Sequence, residues 1–248
     1  HSRLVDALVS TNSRTTQQCA EAFSLPDNRL FTIPGGVDTR RFHADPLARA
    51  RVRAALGYTD KDCVVGLLGR FDQVKGQKEL IEALCALRKR AAPEDFARIR
   101  LMLMGFATSV SQDEVQGWLQ EAGLADQTVI TGKVEDVVGH INAMDLGVIA
   151  SQGSEAIARA AFEIMACKVP LIGTDVGVMP DLLAPQALAP VGSAEAFTAL
   201  VGKACMSEDF RAALRTEQAL RMPEYTLPAF LYATMQAYGC ALERMAGR

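Results

Sequence analysis

Long apolar runs, basic excess, histidine and paired cysteines are all scarce in this chain, and each scarcity removes a class of function. No apolar stretch approaches the ~20 residues that a membrane-spanning helix needs, and the longest, such as Cys63–Leu68, are far shorter. No extended apolar segment follows His1-Ser2-Arg3-Leu4, so no signal peptide is read there. The 26 basic side chains stand against 29 acidic ones, for a net charge of −3, and no arm or stripe gathers them. Nucleic acid is therefore excluded as an expected partner. The six cysteines, at 19, 63, 85, 167, 205 and 240, include no CxxC spacing, and His1, His43 and His140 do not group with them as zinc ligands would. Cys63 and Cys85 lie in apolar runs and read as small core residues. Unpaired cysteines suit a reducing compartment, so a cytoplasmic location is expected. No segment is clearly a basic amphipathic helix, and a peripheral contact with the inner face of a membrane stays open.

Against these absences, 49% of the residues are hydrophobic and 22% charged, the balance of a folded domain. Short aliphatic runs at 6–10, 29–33, 63–69, 99–104, 128–131, 146–150 and 170–173 read as strands. Between most of them lie segments of helical spacing at 15–23, 46–56, 77–90, 112–122, 137–144 and 157–168; Leu80, Ile81, Leu84 and Leu87, for example, form one stripe. Apolar strands alternating with helices predict a doubly wound α/β fold with a parallel sheet covered on both faces. From Ser193 onward only helices are expected, at 194–206, 209–220 and 227–245, and Pro223 and Pro228 set the last one apart. Pro34-Gly35-Gly36-Val37-Asp38 is the strongest loop signal and a candidate domain junction. It divides the chain into residues 1–36, 37–222 and 223–248, and the first piece is too small to bury a core alone.

Two strand ends carry unusual chemistry. In Gly66-Leu67-Leu68-Gly69-Arg70-Phe71-Asp72-Gln73-Val74-Lys75-Gly76 a strand runs into a glycine turn and a helix, with Arg70 and Lys75 bracketing the turn. Two cations beside a helix N-terminus form an anion site; taken alone, they also read as ordinary solvated charges. The segment is neither a Walker loop, which Val74 spoils, nor GxGxxG, which Leu68 spoils. The second end, Ser151 to Ala166, opens a helix bearing Glu155 and Glu163. If both are helical, eight positions turn them about 80° apart, so they form neither a metal pair nor a close acid/base dyad. They could instead bind hydroxyl groups of an extended ligand. Glu163 also reads as a partly buried carboxylate paired with a Lys or Arg, since an unpaired buried charge is costly. Asp60-Lys61-Asp62 has the spelling of a metal-binding Asp-x-Asp, but it precedes a strand and reads as a surface turn.

Four features in order resemble the GT-B retaining glycosyltransferases called family 4. They are Ile33-Pro34-Gly35-Gly36-Val37-Asp38 with Phe42; Gly69-Arg70 with Lys75-Gly76; Gly132-Lys133-Val134 with Met144-Asp145-Leu146; and Glu155 to Glu163 with Met165-Ala166 and Pro170. The resemblance spans roughly residues 5–185. It implies a nucleotide-sugar site of Gly69, Arg70, Lys75, Lys133, Val134, Glu155, Ile157, Ala158, Arg159 and Glu163. Within it, Arg70 and Lys75 would hold the donor diphosphate, Glu155 would lie beside the sugar, and these three would be catalytic. Glu163 would bind both ribose hydroxyls, the amides of Ile157, Ala158 and Arg159 would reach sugar and phosphate, and the backbone at Val134 would read the base.

The chain departs from the family at Ala156-Ile157-Ala158-Arg159, where Ala158 adds a methyl at a usual glycine and Arg159 adds a third cation. The implied reaction is metal-independent sugar transfer from a nucleoside-diphosphate sugar to a glycan, lipid or small-molecule acceptor with retention, and no cofactor is expected. The chain is expected to hold only the last part of the N-terminal acceptor domain, about residues 1–36. It would then bind donor without turnover, needing that domain or a second copy as partner and exposing apolar surface. A non-catalytic nucleotide-sugar-binding subunit and a GT-B-type epimerase are the alternative readings. Replacing Arg70 or Lys75 by alanine is expected to abolish diphosphate binding and leave the fold intact.

Overall fold

The Cys63–Leu68 run has no polar side chain to offer water, and it is accordingly buried as the central strand of a sheet. The structure is a computed structural model that describes residues 5–153 and 155–247; the outer ends of the first and last expected segments lie outside the described residues, as does Ser154. The chain runs β1 (Leu8–Ser10), α1 (Ser13–Phe23), β2 (Leu30–Thr32), α2 (Pro46–Ala55), β3 (Cys63–Leu68), α3 (Gln77–Arg88), α4 (Pro93–Phe96) and β4 (Ile99–Met104). It continues through α5 (Gln112–Glu121), β5 (Thr128–Ile130), α6 (Val137–Ala143), β6 (Leu146–Ile149), α7 (Arg159–Ala166), β7 (Leu171–Thr174), α8 (Met179–Leu182) and β8 (Leu188–Ala189). Then come α9 (Ala194–Met206), α10 (Glu208–Arg221) and α11 (Leu227–Ala246).

Six strands form one sheet in the order β5-β4-β3-β6-β7-β8, every pair parallel. The α/β parallel fold expected from the alternating pattern is present. From β3 the chain winds outward through β4 and β5, then returns to lay β6 against the other side of β3, with Val65 opposite Leu146 and Gly66 opposite Gly147. That reversal opens a crevice beyond the carboxyl ends of β3 and β6, the place where doubly wound sheets bind ligands. Leu80, Ile81 and Leu84 of α3 and Phe162 and Ile164 of α7 are buried within the single core that spans the sheet.

At the opposite end of β6, Asp145 ties three elements together. Its carboxylate accepts from Arg49 (2.6 Å) and Arg53 (2.9 Å) of α2 and from the Val64 amide (2.8 Å) of β3. Arg53 is buried and donates further to the carbonyls of Ala143 and Asp62. The nearby Asp60-Lys61-Asp62 turn differs from the surface turn expected of it. Asp60 is exposed, but Asp62 is buried, accepts from the amide and hydroxyl of Thr59, and pairs with Arg100 at 3.0 Å. A carboxylate this well partnered stabilises the entry into β3. All six cysteines are free, and Cys63 and Cys85 are half-buried rather than fully in the core.

β1 and β2 form a separate parallel two-stranded sheet. It joins the main body through Ser13, whose amide and hydroxyl donate to Asp181, and through the exposed pair Arg14–Asp175 at 2.6 Å. The chain returns to this region at its end: Val37 bridges Thr226, and Arg244 of α11 donates to the Asn28 carbonyl. Only Ala237 of α11 is buried, while Leu231, Tyr232, Met235, Tyr238, Leu242 and Met245 are exposed. These six side chains are the densest group of exposed large hydrophobic residues among the described residues. No described helix is long and apolar enough to cross a membrane.

Candidate functional site

Both unusual strand ends open into the crevice between β3 and β6. After β3 the chain turns through Gly69 and Arg70 to Lys75, and the turn is closed by Asp72, whose carbonyl accepts from the Lys75 amide at 2.9 Å. After β6 it passes Ser151 to Glu155. The two loops are laced together: the Gln152 amide donates to the Val74 carbonyl at 2.8 Å, and the Lys75 ammonium donates to the Glu155 carboxylate at 2.5 Å. Glu155 is 6% exposed, and the Ser151 hydroxyl also donates to it. Ser151 is itself held by Thr174 of β7, whose hydroxyl donates to the Ser151 carbonyl at 2.5 Å.

Two glycines make this lacing sterically feasible. Gly76 has φ +77°, and a Cβ there would stand 1.9 Å from the Ala150 carbonyl oxygen. Gly177 has φ +56°, and a Cβ there would stand 2.1 Å from the Glu155 carbonyl oxygen, which accepts from the Val178 amide at 2.9 Å. Only glycine combines the left-handed conformation with that approach. Backbone contacts at Val74 and Gly76 thus fix Lys75 from both sides, and the Gly177-Val178 backbone fixes Glu155.

The second segment differs from its expected form. The helix predicted from residue 157 begins at Arg159, and Ala158 is its N-cap, so Glu155 sits in the loop and the helical angle between Glu155 and Glu163 does not apply. The Arg159 amide is spent on the Ile157 carbonyl at 3.0 Å and is not free for a ligand. Among the described residues the amides of Ile157 and Ala158 have no hydrogen-bond partner, so two of the three expected donors remain at the start of α7. The extra methyl of Ala158 is buried in the core and does not fill the crevice. Ile157 is exposed and lies against the Gly35 backbone of the expected domain junction.

Glu163, one turn into α7, is half-buried, and among the described residues its carboxylate makes no hydrogen bond or ion pair. Burial pushes its pKa up, and the nearby cations Arg159 and Arg41 pull it partly back. The salt-bridged alternative is therefore not realised: Glu163 keeps its acceptor capacity. Arg70 is exposed and, among the described residues, forms an ion pair only with Asp72, at 3.2 Å. At the β5 end, Val134 is half-buried and Lys133 is exposed, with its ammonium 4.3 Å from the centre of the Phe106 ring. Ser151, Thr174, Gly177, Arg41 and Phe106 were not among the residues that sequence reasoning selected. Among the described residues no three His, Cys, Asp or Glu are grouped to hold a metal ion. A cavity of about 410 Å³ beside α3 and α5, lined by Lys78, Cys85 and Trp118, shares no residue with this site.

Comparison with known proteins identifies the lineage. The chain matches the family described as "Glycosyl transferases group 1" over residues 48–221, more than half its length. It belongs to that family. It is 29% identical over 184 residues to the lipopolysaccharide core biosynthesis mannosyltransferase LpsB of Rhizobium meliloti, covering 73% of this chain and 48% of that protein. It is 30% identical over 184 residues to a GDP-mannose-dependent alpha-(1-6)-phosphatidylinositol monomannoside mannosyltransferase of Mycolicibacterium smegmatis, covering 71% and 46%. The chain thus spans about half the length of the curated relatives it matches. In fold it is similar to Anabaena Alr3699/HepE, solved with UDP and glucose, at a TM-score of 0.77 and 20% identity, over 100% of this chain and 65% of that one.

Proposed function

We propose that this chain is the donor-binding half of a retaining glycosyltransferase of family 4 that takes its sugar from a nucleoside diphosphate. One observation carries the reading: Lys75 and Glu155, eighty residues apart in sequence, are locked together at the sheet's reversal, within the site that also holds the unpaired Glu163 carboxylate. Lys75 spends one of its three N–H donors on Glu155, leaving two for diphosphate oxygens. Arg70 adds a second cation, and the Ile157 and Ala158 amides add donors at the positive end of α7. Together they would stabilise charge developing on the leaving diphosphate without a metal, as preorganised donors do. Glu155, held by Ser151 and Lys75, would accept from sugar hydroxyls, and Glu163 would accept from both ribose hydroxyls. Transfer itself would require an acceptor domain beyond residues 1–36. A glycan or lipid acceptor would place the work at the inner membrane face.

Thermal-shift screening of ADP-, GDP- and UDP-linked sugars tests the binding claim. A ligand at a hundredfold excess over its Kd should stabilise the chain by about 2.7 kcal/mol. Absence of a shift with all three, together with no heat of binding, would end the proposal. Retention is tested by the anomeric configuration of the transfer product.

The ribose assignment makes its own prediction. Glu163→Gln should weaken ribonucleoside diphosphates roughly ten- to a hundredfold, the loss expected for charged hydrogen bonds, and leave 2′,3′-dideoxy analogues nearly unaffected. Equal losses would mean a structural role. The pH dependence follows from the sign of the shift. Hydroxyl recognition needs the ionised carboxylate, and the protonated form becomes favoured at a pH above the ordinary 4.5. Wild-type affinity should therefore fall on acidification before pH 4.5 is reached, while the Gln variant should show only the titration of the ligand's own phosphate.

A further inference from the structure

The geometry points to Phe106 and Lys133 as the nucleobase clamp of this site, with the ring stacking on the base and the ammonium bonding a keto oxygen on its edge. The inference rests on the donor-binding reading. Phe106 is a large apolar side chain left 43% exposed at the carboxyl end of β4, next along the sheet from the Arg70 turn.

Its loop is fixed to that turn. The Phe71 amide donates to the Phe106 carbonyl at 2.8 Å, Phe71 bridges Ala107, and the Phe71 carbonyl accepts from the Thr108 hydroxyl at 2.6 Å. Gly105 lies so close that a Cβ there would stand 1.9 Å from the Gly69 carbonyl oxygen. Arg70 and the Phe106 ring are therefore presented by two loops that are hydrogen-bonded to each other. Lys133 follows β5, one strand further out, and its ammonium lies 4.3 Å from the ring centre. Neighbouring strands are about 4.8 Å apart. The step from β3 to β5 is thus close to the distance from a diphosphate to its base.

An exposed aromatic face with a cation over it is a surface on which a flat heterocycle can stack, taking the ammonium's place. The displaced ammonium, on its flexible stem, can then reach the base edge. It is a donor with no acceptor capacity. The keto oxygens of guanine and uracil accept from it and project outward from the ring, whereas adenine offers only ring nitrogens, flanked by its donor-only amine. The expected preference is therefore for a keto-bearing base.

The test is calorimetric titration of the chain and of Phe106→Ala, Phe106→Tyr and Lys133→Met with GDP, UDP, ADP and inorganic pyrophosphate. Phe106→Ala should weaken GDP or UDP roughly tenfold or more, the usual consequence of removing a base–aromatic stack. Phe106→Tyr should retain binding, and pyrophosphate affinity should not change in either variant. Whichever of GDP and UDP binds tighter names the base, ADP should bind more weakly, and Lys133→Met should narrow that gap. Unchanged nucleotide affinity in Phe106→Ala, an equal loss for pyrophosphate, or a preference for ADP would overturn the clamp while leaving the diphosphate cradle standing. A wild-type chain that binds none of the three nucleotides would overturn both.

Discussion

Lys75→Ala should lose nucleoside-diphosphate binding and also soften the fold, which separates it from Arg70→Ala. Lys75 is three-quarters buried, and its partner Glu155 is almost wholly so. Removing the ammonium strands a carboxylate that, among the described residues, only the Ser151 hydroxyl then serves. Breaking a buried pair in this way costs about 3 kcal/mol where one partner retains some solvent, or roughly 6–12 °C in Tm for a chain of this size. The lost phosphate contacts should weaken the nucleotide by a further ten- to hundredfold, as charged hydrogen bonds do. Arg70, exposed and, among the described residues, ion-paired only with Asp72, should show the binding loss with an unchanged melt. The double variant Lys75→Ala/Glu155→Gln separates the two effects. Thermal stability should recover because the stranded charge is gone, and diphosphate binding should stay absent. If binding returned with stability, the lysine would be a structural strut and not a phosphate ligand.

The largest effect on stability alone is expected at Asp145→Ala. The carboxylate anchors two arginines of α2 and the Val64 amide of β3, and Arg53 is nearly inaccessible to water. Its removal leaves buried guanidinium charge without a counter-ion, at about 3–5 kcal/mol. That corresponds to roughly 6–20 °C in Tm, readable by thermal or urea melts. Asp145→Asn, which keeps one acceptor oxygen, should lose less. Because Asp145 lies at the amino end of β6 and the crevice at its carboxyl end, nucleotide affinity of the remaining folded chain should not change. A specific loss of affinity would show that the two ends of the strand are coupled.

Legibility in the sequence followed the reach of each interaction. Long runs without polar residues, such as those of β3 and β4, announced themselves, and the fold class followed from their alternation with helices. β8 did not, because its two residues lie between Pro185 and Pro190, and such a short pair has no period to detect. The start of α7 was misplaced for a different reason. Ala156, Ile157 and Ala158 are compatible with a helix, but the Glu155 carbonyl just before them is fixed by Val178, a tertiary contact, and the Arg159 amide closes a tight turn on the Ile157 carbonyl instead of joining a helical ladder. The two cations near β3 were visible as residue types. That one is bound to a buried glutamate and the other, among the described residues, only to its near neighbour Asp72 could not be read from spacing, since the glutamate lies on another crossover. Arg41 and Phe106 are single residues in loops, and a loop residue acquires its role only from what folds beside it.

The tie between the small β1–β2 sheet and the main body is partly electrostatic and lies in water at Arg14–Asp175, in contrast to the sequestered Lys75–Glu155 lock. Dissolved ions compete for the first and barely reach the second, since a solvated surface pair weakens in salt whereas a buried pair is screened much less. Added salt should therefore weaken this one tie by at most about 1 kcal/mol, leaving the Ser13–Asp181 and Val37–Thr226 contacts to keep the seam closed. Salt sensitivity would thus mark the seam and not the lock.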